Sequence, residues 1–213
     1  MSFAFFLKQL LAASADQFHY LDWQIKRRSS LRIILGYHRV LPRKVVTDSN
    51  VQACMWVSPE TFENHLGWMQ TIGKVVALED IVDFSVQNSE PWFAVTFDDG
   101  WLDNYQYAFP FLKQYHVPAK IFLATNHINT GRLFWPDDIY HKTGLAWKNG
   151  SLGRIRSFFI EYCQTRGIPV FRGTNIEQLD AFIEDLKLIN EEERRNFIVK
   201  FYRHIEMPIE AAS

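Results

Sequence analysis

Apolar and polar residues along this chain follow one pattern up to about residue 150 and another after it. Leu31-Arg-Ile-Ile-Leu-Gly-Tyr-His38 is a short apolar run with β-branched residues, closed by Leu41-Pro42. It predicts a buried strand that carries His38 near its C-terminal end. Ser58-Pro59 supplies an N-cap followed by proline at the first helical position, and Phe62, Leu66 and Met69 recur at helical spacing until Gly73. Lys74 to Leu78 predicts a second strand, and Glu79 to Val86 a short helix. Trp92-Phe-Ala-Val-Thr-Phe97 is apolar at successive positions, as a strand covered on both faces requires. Tyr105 to Tyr115 has helical composition with Pro110 as a break or late start, and Pro118 to Thr125 predicts a fourth strand. Strands alternating with helices predict a parallel α/β sheet or barrel.

Beyond residue 150 the period is helical throughout. Ile155, Phe158, Phe159 and Tyr162 share one face, ended by Gly167; Thr174 and Glu177 form a capping box ahead of Leu179, Phe182, Ile183 and Leu186. Asn190 and Glu191-Glu-Glu193 open a further helix whose apolar face is Phe197, Ile198, Phe201 and Ile205. The expected domains are therefore an N-terminal helix and basic linker (1–30), an α/β domain (31–145) and a helical insertion or appendage (146–213).

Composition narrows the class. The 213 residues carry 23 Lys and Arg against 24 Asp and Glu, a net charge of −1 that gives no general attraction to nucleic acid. Hydrophobic residues make up 47%, so the chain has enough apolar side chains for a core. Cys54 and Cys163 are too few for a disulfide framework. No stretch approaches the roughly 20 apolar residues of a membrane span. The start, Ser2 to Asp16, lacks a positive leading region, and Lys8-Gln9 breaks its apolar run, so no convincing signal peptide is read. A helix through Phe6, Leu10 and Leu11, followed by Lys26-Arg27-Arg28, either packs on the domain or lies on a membrane surface. The compartment stays open between cytoplasm and cell envelope.

Thr96-Phe-Asp-Asp-Gly100 is the most informative segment. A buried strand running straight into two carboxylates puts both at its C-terminal edge, where α/β sheets build their sites. Successive residues point to different sides, so the two acids have separate tasks: one beside a divalent cation, the other taking a proton from water. The alternative is a strand-end turn whose acids cap the next helix.

Phe93 to Thr125, with Phe-Asp-Asp-Gly-Trp-Leu-Asp-Asn-Tyr at its centre, resembles the start of the polysaccharide deacetylase (NodB homology) domain. Ile34 to Pro42 is similar to that family's leading Tyr-His strand, and Ser58 to Leu66 to the helix after it. The resemblance covers roughly residues 31–140. It implies a partial, distorted (β/α) barrel and metal-dependent removal of N-acetyl groups from a sugar polymer, an acetylated polysaccharide or oligosaccharide. Carried over, Asp98 is the catalytic base and Asp99 a ligand of a divalent metal, zinc or similar. The family completes its metal site with His-x-x-x-His. The histidines here are His19, His38, His65, His116, His127, His141 and His204, of which no two are three or four apart. The chain is expected to be an N-terminal portion whose metal binding is weak or absent, and a catalytically silent fragment or carbohydrate-binding module is the alternative reading. His38 is either a hydrogen-bonded structural histidine or a second-shell partner. His127 is expected on the same rim, giving a conceivable site of Asp99, His38 and His127. Trp101 and Trp135 stack on sugar rings if exposed and otherwise pack in the core. A receiver-type phosphotransfer domain also places an acidic pair at a strand end, but no strand after residue 125 supplies its phospho-acceptor Asp and Lys.

Overall fold

A strand with side chains buried on both faces needs neighbours on both edges and helices above and below. Trp92–Phe97 is that strand: from Phe93 to Phe97 every residue is buried. In the computed structural model, described for residues 20–49, 51–148, 152–166 and 176–205, it is the axis of the first of two units. In chain order the elements of this unit are α1 (Tyr20–Lys26), β1 (Arg32–Tyr37), β2 (Arg39–Val40), β3 (Trp56–Val57), α3 (Pro59–Ile72), β4 (Lys74–Val75), α4 (Leu78–Ile81), β5 (Trp92–Phe97), a wide π-type turn (Asn104–Ala108), α5 (Phe109–Gln114) and β6 (Ala119–Ile121). The second unit holds α2 (Arg43–Ser49), α6 (Trp135–Lys148), α7 (Leu152–Arg166), α8 (Ile176–Leu188) and α9 (Glu191–Ile205).

Every pairing in the main sheet is parallel. Strand β1 lies along the full length of β5, from Arg32 opposite Trp92 to Tyr37 opposite Phe97. The other edge of β5 is shared: β4 pairs with Trp92 and Phe93, and β6 pairs with Val95, Thr96 and Phe97. Among the described residues the strands form an open sheet, with β2 and β3 as a separate parallel pair. Strand β1 departs from the expected buried strand. Ile33 and Leu35 pack on the core while Ile34 is 50% exposed, because β1 is covered by side chains on one face only. Strands β4 and β6 are shorter than their apolar runs, since each has only half of an edge of β5 to bond.

Helix α3 forms as its signals require. The Ser58 hydroxyl accepts the Thr61 N–H at 3.1 Å, Pro59 begins the helix, and Phe62, Leu66, Met69 and Ile72 form its buried stripe. Gly73 ends it in an extended conformation, not the left-handed one that C-terminal glycines often take. Glycine is needed there for space: a Cβ would lie 2.1 Å from the Pro91 carbonyl oxygen where the chain enters β4. The π-type turn ends two residues before Pro110, whose missing N–H removes one α-helical bond.

Tyr37, at the end of β1, joins sheet to helix. Its ring meets Phe62 edge-on at 5.1 Å and lies 5.7 Å from Phe97, and its hydroxyl is 3.0 Å from His65 Nδ1 on α3. Burial pushes the Tyr37 hydroxyl up to about 12, so it keeps its proton and donates to a neutral imidazole; burial also holds His65 below its ordinary value.

In the second unit, Phe159, Phe182, Phe197 and Phe201 form an aromatic core with Leu179, Ile183, Leu186 and Ile198. These match the faces read from the helical period, and Asn190 Oδ1 accepts the Glu193 N–H at 2.9 Å to start α9. Helix α6 was not anticipated. Within it Lys142 is buried at an ion pair with Asp138, 2.7 Å away, and Asp138 also accepts from the Tyr202 hydroxyl. The expected helix at residues 6–11 and the capping box at Thr174 lie outside the described residues. No helix among the described residues is long and apolar enough to cross a membrane.

Two outcomes follow from this packing. Gly73→Ala forces a backbone shift at the entry to β4 and lowers stability by about 1–3 kcal/mol. Gly36→Ala, whose Cβ would sit 3.5 Å from Thr96 Oγ1, leaves the urea midpoint nearly unchanged. His65 has a depressed pKa in the fold, so its contribution is fully present above 6.5, its ordinary value, and is lost as pH falls through the lower folded value. Urea midpoints between pH 7.5 and 5 are expected to fall, and His65→Asn to flatten that fall.

Candidate active site

Strand register brings the candidate residues together. Because Tyr37 pairs with Phe97 and Phe97 with Ile121, the next residues on each strand, His38, Asp98 and Phe122, leave the sheet side by side at its C-terminal rim. The Asp98 N–H donates to the Tyr37 carbonyl at 2.8 Å and the Phe122 N–H to the Phe97 carbonyl at 2.8 Å, so the ladder continues to the edge of the site. His38 Nε2 lies 3.9 Å from Asp98 Oδ2, and both side chains are partly open to solvent, 38% and 44% exposed. That distance is an ion-pair contact and longer than a hydrogen bond.

Beyond Asp98 the backbone reverses. Asp99 has φ of 70° and Gly100 φ of 77°, two left-handed residues in succession. Aspartate tolerates this region better than most side chains, and glycine enters it without penalty. A Cβ at Gly100 would in addition meet Leu123 Cδ2 at 2.4 Å. The Gly100 N–H donates to the Asp98 carbonyl at 2.9 Å and the Ala124 N–H to the Asp99 carbonyl at 3.3 Å, which ties the turn to the segment after β6. The bend separates the two carboxylates: Asp98 stands beside His38, and the Asp99 carboxylate Oδ2 accepts from Trp101 Nε1 at 3.3 Å.

Two residues of this region were missed in the sequence. Arg39 Nε and Nη2 both reach Asp103 Oδ2 at 2.9 Å, and Asp103 Oδ1 accepts the Val40 N–H at 3.1 Å. Asp103 is 5% exposed and Arg39 16%, so the pair is largely removed from water. Burial pushes the Asp103 carboxyl above its ordinary value, opposed by the Arg39 charge and its hydrogen bonds. Arg39 also lies over the Trp101 ring, 4.1 Å from its centroid, so Trp101 is a half-buried link in the site and not core filling. The available signal was an acid four residues after Asp99 in a segment otherwise rich in aromatic side chains.

His127 belongs to the second unit, where its ring stacks on Phe134 with centroids 4.1 Å apart, and Trp135 opens α6 there. Among the described residues no three His, Cys, Asp or Glu side chains converge as a ligand set for a metal ion. Asp99 is one carboxylate, well short of the three or four protein ligands of a strong site.

Residues 85–144 match the family model described as polysaccharide deacetylase. This stretch is a segment of a NodB-like deacetylase domain. Over 117 residues the chain is 29% identical to the poly-beta-1,6-N-acetyl-D-glucosamine N-deacetylase of Staphylococcus epidermidis, covering 50% of this chain and 40% of that protein. YxkH of Bacillus subtilis, named as a candidate polysaccharide deacetylase, is 35% identical over 76 residues, covering 34% of this chain and 27% of that one. Among solved structures, IcaB from Ammonifex degensii is 26% identical with a TM-score of 0.41, over 55% of this chain and 49% of that chain. The chain spans less than half the length of the curated relatives it matches.

Removing the Asp103 carboxylate leaves the Arg39 charge buried without its partner. Asp103→Ala is expected to destabilise the first unit by about 3–5 kcal/mol in urea titrations.

Proposed function

We propose that this chain acts in the deacetylation of a sugar polymer, hydrolysing the N-acetyl amide at the rim where β1 and β5 end, with Asp98 as general base. The observation that carries this reading is the placement of Asp98: in register with His38, partly open to solvent, and inside the segment that matches the deacetylase family. The reading includes a partial, distorted (β/α) barrel, of which the parallel strands β1, β4, β5 and β6 are the described part.

The chemistry assigned to the chain's own residues is proton transfer. Water attacks the acetyl carbonyl carbon and gives its proton to an Asp98 oxygen; the carbon–nitrogen bond then breaks, and the amine leaves with a proton that the newly protonated Asp98 can return. The products are acetate and a free amino sugar. At 3.9 Å His38 forms no hydrogen bond with Asp98, so it leaves the carboxylate available to water. A divalent cation, when bound, would stabilise the oxyanion, and Asp99 would be its ligand from this turn. The described residues do not complete its ligand set.

A second reading, a carbohydrate-binding segment without turnover, is favoured by the spacing of the seven histidines, no two of which form His-x-x-x-His. Acetate release from acetylated chito-oligosaccharides, assayed with added zinc or cobalt, separates the two. Asp98→Asn preserves shape and removes the base, and is expected to lower the rate by about 10²–10⁴-fold. Saturable oligosaccharide binding with no acetate release establishes the silent reading instead.

A further inference from the structure

We propose that Arg39 is a positioning residue for the Asp99 carboxylate, acting through the indole of Trp101 and held in place by Asp103. The proposal rests on the deacetylase reading only in taking Asp99 as a working residue of the rim. Four contacts form one connected series. Asp103 is fixed by the Val40 N–H at 3.1 Å, so the carboxylate is anchored to the backbone of β2. Arg39 is fixed by two bonds of 2.9 Å to that carboxylate. Its guanidinium lies 4.1 Å from the Trp101 ring centroid, and Trp101 Nε1 donates to Asp99 Oδ2 at 3.3 Å.

Each step limits the freedom of the next. A guanidinium held at its donors by one carboxylate presents its flat face in a single plane, and an indole stacks on that plane as it would not on a mobile cation. With the indole so placed, its one N–H, which can only donate, is directed at the Asp99 carboxylate. Asp99 needs such a constraint. It sits in a left-handed turn, partly open to solvent, where an unanchored carboxylate rotates freely. The ion pair alone would satisfy Arg39 and Asp103; the contact with Trp101 is what makes the arrangement reach the rim. Lysine at position 39 would keep a charge for Asp103 but lose the plane.

The indole N–H of Trp101 reports on this series directly. In ¹⁵N-labelled full chain its resonance is assigned by its loss in Trp101→Phe. Asp99→Asn is expected to shift that resonance, confirming the bond to Asp99. Arg39→Lys is expected to shift the same resonance and speed its exchange with water about tenfold, while the other indole resonances and Tm hold. A Trp101 resonance indifferent to Arg39→Lys, or to Asp99→Asn, overturns the proposal. So does a Tm loss accompanied by uniform shifts, the mark of a purely structural arginine. Where Arg39→Lys does not fold, Trp101→Phe, which leaves the guanidinium a ring, must still move the ¹³Cγ resonance of Asp99, and an unmoved resonance refutes the series. In an active chain Arg39→Lys lowers kcat about tenfold and leaves KM unchanged. The resonances need no turnover, so absence of acetate release refutes the proposed function without touching this coupling.

Discussion

Parallel register between β1 and β5 is the constraint on which the site depends. Six consecutive pairings end with Tyr37 opposite Phe97, and a slip of one residue would reverse which side chains face the core. The register is fixed by burial on both sides of β5, and the ring of Tyr37 sets it further by filling the space between Phe62 and Phe97. With that register, His38 and Asp98 emerge together. Proximity of the two is therefore a product of the core packing of the residues just before them, and requires no attraction between the side chains themselves.

The Arg39–Asp103 pair solves a different problem. Strand β2 is two residues long and its partner β3 equally short, so backbone hydrogen bonds alone hold this part of the chain weakly. A carboxylate that takes both the Val40 N–H and the Arg39 side chain joins β2 to the segment following Asp99. Taking both charges out of water is costly, and a hydrophobic pair of similar volume often does as well for stability. What such a pair would lack is a planar cation directed at Trp101. The geometry thus favours a charged pair for where it places the indole rather than for its net contribution to folding.

Legibility in the sequence tracked how local the deciding physics is. The start of α3 was readable because Ser58, Pro59 and the apolar period all act within a few residues. The aromatic faces of α7, α8 and α9 were readable for the same reason. The two-sided burial of β5 was visible as six apolar or small residues in succession, and the acidic pair after it as a strand-end feature. Strand β1 has much the same apolar look, yet Ile34 is half open to solvent, because how many faces are covered depends on neighbours and not on the strand's own composition. The extents of β4 and β6 were hidden likewise, since each shares one edge of β5. Arg39 and Asp103 are separated by 64 positions, and nothing in either neighbourhood marks them as partners. Gly73 was readable as the stop of α3, but not the reason glycine is needed there, which is the close approach of Pro91 from a distant part of the chain.

Adjacent acids of one chemical type acquire different tasks only when the backbone gives them different surroundings. Asp98 extends the strand: its N–H still bonds to Tyr37, and its carboxylate lies beside an imidazole, partly open to solvent. Asp99 lies past the reversal, where a left-handed backbone swings its carboxylate to an indole donor. A proton acceptor benefits from access to water and from the absence of a fixed donor that would occupy its oxygens. A carboxylate meant to hold its orientation benefits from the opposite. Two left-handed residues in succession carry a conformational cost that the Ala124 contact and the ladder on either side help to offset. The turn is therefore the feature that separates the two acids, and Gly100 is suited to its second position because a side chain is strained at a φ of 77°.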